Sequence, residues 1–419
     1  MSGPTSISES DEGGTDGTPP APAPAPSGQD RLREIAEEAG IHRVDVVAWR
    51  DLDDAEAGGS ELHAHEVLRR WAAAGIDVRQ WTSRVDGAAR EITRDGYTVN
   101  RRAGRYAVFP RTAFAGVRAK IGTGDGLVEI WNGMPFFSPL WNHRPRVVFL
   151  HHVHAEMWQM VLSPRLATLG YAVEHRLAPP FYRNTRIVTL SGSAKLEIVE
   201  KLRLKPANIT VVPPGIDPKF SPAPAATPAA GAAGPVRDPD PLVVAVGRLV
   251  PVKRFDLFIA AMVALKARQP KLRAVVVGEG YERPELEAQI AQAGATEWLT
   301  MPGRLADDEL LSLYRRASIV GSTSKREGWG MTLTEGAACG TPAVATRITG
   351  HDEAVIDGES GLLVDGVEDF VAAADSILTD PMLRRRLEQG ALRNAERLSW
   401  EVTAAATLEV LAAEVNRHR

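Results

Sequence analysis

The chain holds a single cysteine, Cys339, in 419 residues. One thiol can make neither an internal disulfide nor a thiolate metal cluster, so Cys339 is expected to be a small buried apolar residue in a reducing compartment. A basic surplus is missing too. Lys and Arg number 49 against 53 Asp and Glu, a formal net charge of −4. A protein that neutralises phosphates along a duplex carries the opposite balance, so no nucleic-acid partner is expected. No apolar run approaches the ~18 residues of a membrane span. The N-terminus lacks a basic region followed by an apolar one, so no secretory signal is expected and the cytoplasm is the expected location. No segment repeats at a period of roughly 20–50 residues.

What is present suffices for two ordinary cores: 44% of residues are hydrophobic and 24% charged. Residues 1–30 are polar and end in "PPAPAPAPSG", a composition that reads as a disordered tail, with a short helix from Arg31 to about Ala39. A strand pattern over Arg43–Arg50, a loop with Gly58 and Gly59, the helical "SELHAHEVLRRWAAAG" and the strand "IDVRQWT" make a βαβ unit. Strands recur at Leu127–Trp131, Arg146–Leu150, Arg186–Leu190 and Ile209–Val212. Residues 221–241 are rich in Pro and Ala without periodicity, as a linker would be. A second run of alternating strands and helices starts at "LVVAVGRLV", and helical patterns at 367–378, 382–396 and 401–416 close the chain. The fold class is therefore α/β, two doubly wound Rossmann-like domains facing across a cleft. Ligands of such sheets lie beyond the carboxyl ends of the strands.

The segment richest in chemistry is "SKREGWGMTLTEGAACGTP", residues 324–342. Gly328 and Gly330 let backbone approach a ligand closely. The helix expected from Thr332 offers free N–H groups and a positive dipole end, an anion site suited to a diphosphate. Glu327 and Glu335 flank it and would accept hydrogen bonds from sugar or ribose hydroxyls. A ligand-free alternative is that Thr332 and Glu335 form a capping box. "VVVGEGYERPELE" has Arg283 where a dinucleotide fingerprint needs its third glycine, which disfavours a nicotinamide enzyme. His151, His152 and His154 lack the i, i+4 spacing of common zinc sites, and no metal is expected. The acidic pairs Asp51–Asp53 and Asp238–Asp240 read as solvated loop charges. Residues 96–124 contain no acidic residue but six arginines and lysines with interleaved Tyr106, Phe109 and Phe114. They read as two strands with outward arginines, or as a surface for anionic lipid or acceptor.

The Glu327-x7-Glu335 spacing inside "EGWGMTLTE", followed by "GAACGTPAVAT", resembles the signature of the retaining glycosyltransferases of family 4, which have the GT-B fold. Other segments resemble that family in order over roughly Val44 to Asp365. The resemblance implies that Glu327 contacts the transferred sugar, Glu335 the ribose, and the turn over Gly328, Trp329, Gly330, Met331 and Thr332 the donor between them. Trp329 stands where phenylalanine is usual. In "VAVGRLVPVKRFDLF" it implies diphosphate binding by Arg248 and Lys253, preorganised cations beside a departing phosphate. Gly303, Arg304 and Leu305 would line the base pocket. Gly58 and Gly59 would sit against the donor phosphates. His151 would end a strand near the sugar, with His152 and His154 left open. "VPPGIDPKF" matches the turn that closes the family's first domain, with Pro214 where asparagine is usual.

The implied division is a tail over 1–30, an acceptor domain over 31–220, a linker over 221–241, a donor domain over 242–399 and a terminal helix over 400–419 that crosses back. The implied reaction moves a hexose, with mannose one candidate, from a nucleotide-diphosphate sugar to a glycan, lipid-linked or small-molecule acceptor. The donor stays open between GDP-mannose and a UDP-sugar. No cofactor and no metal are implied, and peripheral contact with the inner membrane face stays open, as does the oligomeric state. A nucleotide-sugar epimerase or a sugar phosphorylase of the same fold is the alternative.

Overall fold

The computed structural model describes residues 28–154, 157–161, 163–223 and 237–419. Most of the expected tail and linker lies outside these residues. The tail boundary needs correction at its end, because α1 runs Gly28–Ala39 and buries Leu32, Ile35, Ala36 and Ala39. That apolar stripe packs on the first core, so burial orders the segment from Gly28 rather than Arg31.

Among the described residues the first sheet has β1 (Arg43–Val47), β2 (Asp77–Ser83), β3 (Glu91–Arg94), β4 (Tyr97–Ala103), β5 (Gly126–Ile130), β6 (Arg146–Phe149), β7 (Arg186–Thr189) and β8 (Ile209–Val211). Their spatial order is β3-β4-β2-β1-β5-β6-β7-β8, parallel except for the β3–β4 pair. The second sheet has β9 (Leu242–Val246), β10 (Arg273–Val277), β11 (Leu299–Gly303), β12 (Ile319–Ser322), β13 (Ala343–Thr346) and β14 (Gly361–Val364). Its order is β11-β10-β9-β12-β13-β14, all parallel. The central strands read as apolar runs because helices cover both faces of a parallel sheet. Val147, Val148 and Phe149 of β6 have no exposed surface. Helix α2 (Gly59–Ala73) lays Val67, Leu68 and Trp71 on the first sheet. The Trp71 indole N–H donates to Ala404 O at 3.0 Å. Ala404 belongs to the final helix, Trp400–His418, whose Leu408, Leu411 and Val415 fill the same core. The helix Trp400–His418 thus packs on the first sheet.

Residues 96–124 form one strand, β4, and one helix, α3 (Val108–Val117), not two strands. Nor do all their arginines face solvent. Arg101 is 1% exposed and donates from Nε to Asp51 Oδ2 at 2.7 Å, from Nη1 to Ala89 O at 3.0 Å, and from Nη2 to Asp53. Asp51 is therefore a buried ion-pair partner, not a solvated loop charge. Removing one member of a buried pair leaves the other charge uncompensated, at a cost of about 3–5 kcal/mol. Asp51→Ala should lower the urea midpoint far more than Asp53→Ala, whose side chain is 44% exposed. Equal effects would show that the Asp51–Arg101 pair is not what anchors the loop after β1.

Candidate functional site

The loops after β1 and β6 face those after β9, β11 and β12. Gly58 precedes α2, and its N–H donates to Glu61 Oε2 at 2.8 Å. A methyl group on Gly58 would meet Arg248 Nε at 3.2 Å, and one on Gly59 would meet Met331 Sδ at 3.4 Å. The residues expected at the donor from the two domains are thus in contact. Arginines of the second domain donate across the cleft to backbone carbonyls of the first: Arg248 to Glu56, Arg304 to Ala55 and Arg326 to Val153, each at 3.0 Å. Burial pushes the Arg248 guanidinium below its ordinary value, and neighbouring Arg50 adds to this.

Lys253 follows β9 and donates to Glu327 Oε1, which also accepts from Ser324 Oγ at 2.8 Å. Burial alone would raise the Glu327 carboxyl. Lys253, His351 and the two hydrogen bonds outweigh it and hold the group below the usual value. Glu327 is thus ionised and aligned at the mouth of the second sheet. Glu335, eight positions on, has a different setting. Burial pushes it up to about 7, although the Tyr314 hydroxyl donates to its Oε2 at 2.9 Å. Two carboxylates on one segment therefore sit on opposite sides of the neutral form's threshold at pH 6–7.

The helix carrying Glu335 runs Met331–Ala338 and opens at Gly330, whose φ of 106° suits glycine, and no side chain caps it. The Thr332–Glu335 capping box does not form, because the helix starts one residue earlier and Glu335 turns to Tyr314. Thr332 lies half-buried in the first helical turn. Gly328 meets the first domain directly, since a methyl group there would lie 3.1 Å from His151 O. The Trp329 side chain is 4% exposed and packs with Leu190 of the first domain and Ala354 of the second. It fastens the domains together, and its buried indole N–H has no hydrogen-bond partner among the described residues. Gly303 ends β11 with φ 89°, and Leu305 packs its side chain toward Leu242, Val244, Val277 and Leu313.

The three histidines after β6 differ in their settings. The His151 imidazole is 5% exposed, and its Nε2 lies 3.2 Å from His63 Nδ1. Its ring meets His63 edge-on at 4.8 Å, and His63 in turn lies against Trp400. The ring thus belongs to the first domain's interior. His152 is the histidine on which Arg326, Glu327, Lys253 and Arg248 all act, and burial holds it down to about 4. Its ring stacks on His154 at 5.0 Å. Among the described residues no group of three or more His, Cys, Asp or Glu side chains converges as metal ligands.

His351 was not singled out from the sequence. It is fully buried under the turn, with Nδ1 2.9 Å from Thr346 O and Nε2 3.4 Å from Ser322 Oγ. Ser322 Oγ lies 3.2 Å from Ser324 Oγ, which donates to Glu327. A chain of polar groups therefore runs from His351 to the carboxylate. Its partners stand on separate strands, so no local pattern announces it.

The profile of Glycosyltransferase Family 4 matches residues 57–220, and that of Glycosyl transferases group 1 matches residues 231–393. A D-inositol 3-phosphate glycosyltransferase of Kribbella flavida is 32% identical over 84% of this chain and 90% of its own length. Another, of Streptomyces bingchenggensis, is 28% identical over 87% of this chain and 86% of its own. Among solved structures, sucrose-phosphate synthase from Thermosynechococcus elongatus aligns with a TM-score of 0.73 at 20% identity, covering 90% of this chain and 98% of its own. Anabaena HepE in complex with UDP-glucose aligns at 0.66 and 16% identity, covering 90% and 100%. At these identities the structures speak to the fold, which they share as two facing Rossmann-like domains. The epimerase and phosphorylase readings gain no support from these relatives.

Proposed function

The chain belongs to the family 4 glycosyltransferases, and from that premise we propose that it moves a hexosyl group from a nucleotide-diphosphate sugar to an acceptor hydroxyl, with retention and without a metal. The observation that carries this reading is the Lys253–Glu327 pair set beside Arg248 and opposite Gly58 and Gly59. Arg248, Lys253 and the opening of the Met331–Ala338 helix would hold the diphosphate. There they meet charge that grows as the nucleotide leaves, and preorganised donors in a dry site stabilise such charge by several kcal/mol. Glu335 would take the ribose hydroxyls, and the backbone at Gly303, Arg304 and Leu305 the base. Glu327 would orient the sugar, with His152 rather than His151 as its imidazole partner.

In this reading no carboxylate attacks the anomeric carbon. A departing phosphate oxygen takes the acceptor proton on the face it leaves, which preserves configuration. The two cations supply the neutralisation that a metal provides elsewhere. The acceptor enters from the first domain, and contact between the domains excludes water that would hydrolyse the donor.

The direct test is thermal unfolding with UDP, GDP and ADP and their sugar conjugates, beginning with UDP because HepE was solved with UDP-glucose. A nucleotide at ~100 times its dissociation constant adds about 2.7 kcal/mol of stability. One base should stabilise the wild type and leave Arg248→Ala nearly unmoved. No response to any nucleotide would remove the donor site and the reading with it.

A further inference from the structure

We propose that the helical layer on one face of the first sheet docks its outer surface on an anionic lipid bilayer.

Helix α4 (Ser138–Trp141) follows β5, and after β6 come α5 (Met157–Val161), α6 (Pro164–Ala172), a π turn over Val173–Leu177 and α7 (Pro179–Tyr182). Neighbouring residues of a strand go to opposite faces of the sheet. Val147 and Phe149 of β6 enter the core shared with the helix Trp400–His418, whereas Val148 packs with Ala178 and Tyr182. Glu129 of β5 pairs with Val148 in register, so Leu127, two residues earlier, lies on the Val148 side. Leu127 shares a core with Val108 of α3 and Trp141 of α4. Helices α3, α4 and α7 therefore cover the same face, the one turned away from Trp400–His418.

The outer side of this layer is apolar to an unusual degree. Leu166, Leu169, Leu177 and Phe181 recur at helical spacing and are 54%, 57%, 53% and 40% exposed. Ala167, Gly170, Glu174, Ala178 and Tyr182 beneath them are buried. Phe181 meets Phe137 edge-on at 6.0 Å, beside exposed Leu140 of α4. Helix α3 packs on α4, since a methyl group on Gly116 would lie 2.0 Å from the Trp141 ring, and it adds exposed Phe114 and Val117. Most of the exposed large apolar side chains among the described residues stand on this layer. Single exposed apolar residues need no partner, but a run of them over adjoining helices marks a contact surface.

Charge names the partner. The whole chain is net −4, yet among the described residues of 104–185 no Asp or Glu is exposed. Arg144, Arg165, Arg176 and Arg183 are exposed and have no ion-pair partner among the described residues. A second copy of this chain, seated on the same face about a two-fold axis, would set these arginines against each other. An anionic bilayer takes the guanidinium groups at its headgroups and the leucine and phenylalanine side chains below them. Among the described residues no helix is long and apolar enough to cross a membrane, so the contact is peripheral. The layer also borders the cleft, because α5 packs against the turn Pro251–Lys253 and Arg326 donates to Val153 O just before α5. Docking would hold the mouth of the cleft close to the bilayer.

Cosedimentation of the full chain with phosphatidylcholine vesicles, with and without phosphatidylglycerol, tests this. Wild type should bind the vesicles that contain phosphatidylglycerol and leave them as salt rises. Leu169→Gln/Leu177→Gln and Arg165→Gln/Arg176→Gln should each weaken that binding about tenfold or more. All four side chains are exposed, so both variants should unfold at the wild-type temperature. Absence of wild-type binding overturns the proposal. Loss in the arginine variant alone overturns it too, because adsorbed charge without apolar insertion explains that result. A wild-type dimer that dissociates in the leucine variant, with no vesicle binding, assigns the face to a second copy instead.

Discussion

Lys253→Ala should lower turnover about 100-fold or more, a loss of roughly 2.7 kcal/mol or more of transition-state stabilisation. The variant loses two things at once. The cation that would face the departing diphosphate is gone, and Glu327 is left in a buried setting with only Ser324 to donate to it. Burial then acts on the carboxyl with less opposition and raises it, since Lys253 is the largest influence holding it down. Two further variants separate the losses. Lys253→Arg keeps the charge and should keep most of the stability, but the longer, planar head will misplace it and turnover should stay well below wild type. Lys253→Ala/Glu327→Gln removes the orphaned charge and should recover thermal stability relative to Lys253→Ala without recovering turnover. Nucleotide release in steady state and thermal unfolding read the two effects independently. Turnover within a few-fold of wild type in Lys253→Ala would remove the diphosphate role and with it the retention mechanism argued above.

The parts of this site that could be read from the sequence are those whose partners lie close along the chain. Glu327, the glycine turn and Glu335 fall within one strand-to-helix connection, so their spacing alone places them on one edge of the second sheet. Arg248 and Lys253 are legible for the same reason, as the first seven residues after β9 have few places to go. Direction of side chains was not legible. Trp329 lies among donor-site residues in sequence, yet its ring fills the seam between domains with Leu190, 139 positions earlier by subtraction of residue numbers. His151 follows its strand at the expected spacing, but His63 of α2 captures its ring. Asp51 looked like a surface charge because its partner, Arg101, arrives three strands later in the chain, in β4. The short edge strand β3 and the final strand β14 were missed as well. Both lie at the edge of their sheets.

Glu335→Gln should separate stability from function in a pH-dependent way. In the folded protein the Glu335 carboxyl is raised to about 7 from its ordinary 4.5 by burial. The folded state therefore binds more protons than the unfolded one between these values. The sign follows: the ligand-free protein loses stability as pH rises from about 4.5 to 7 and stays lower above it, because a charge must be kept in a buried site. Glutamine carries no charge and removes that loss. The variant should be more stable than wild type at pH 8 by on the order of 2 kcal/mol and nearly equal to it at pH 5. Nucleotide binding should move the other way. Ribose hydroxyls donate to the ionised carboxylate, so wild-type affinity should rise between pH 6 and 8 and binding should release a proton below pH 7. In the variant the affinity should be lower by roughly tenfold, as for a charge-assisted hydrogen bond made neutral, and flat with pH. Calorimetry in two buffers of different ionisation heat, with thermal melts across the same range, measures both arms. Gain of stability at pH 8 with unchanged nucleotide affinity would reduce Glu335 to the buried partner of Tyr314. Loss of affinity together with gain of stability identifies a carboxylate kept at a thermodynamic disadvantage in the free protein because the donor relieves it.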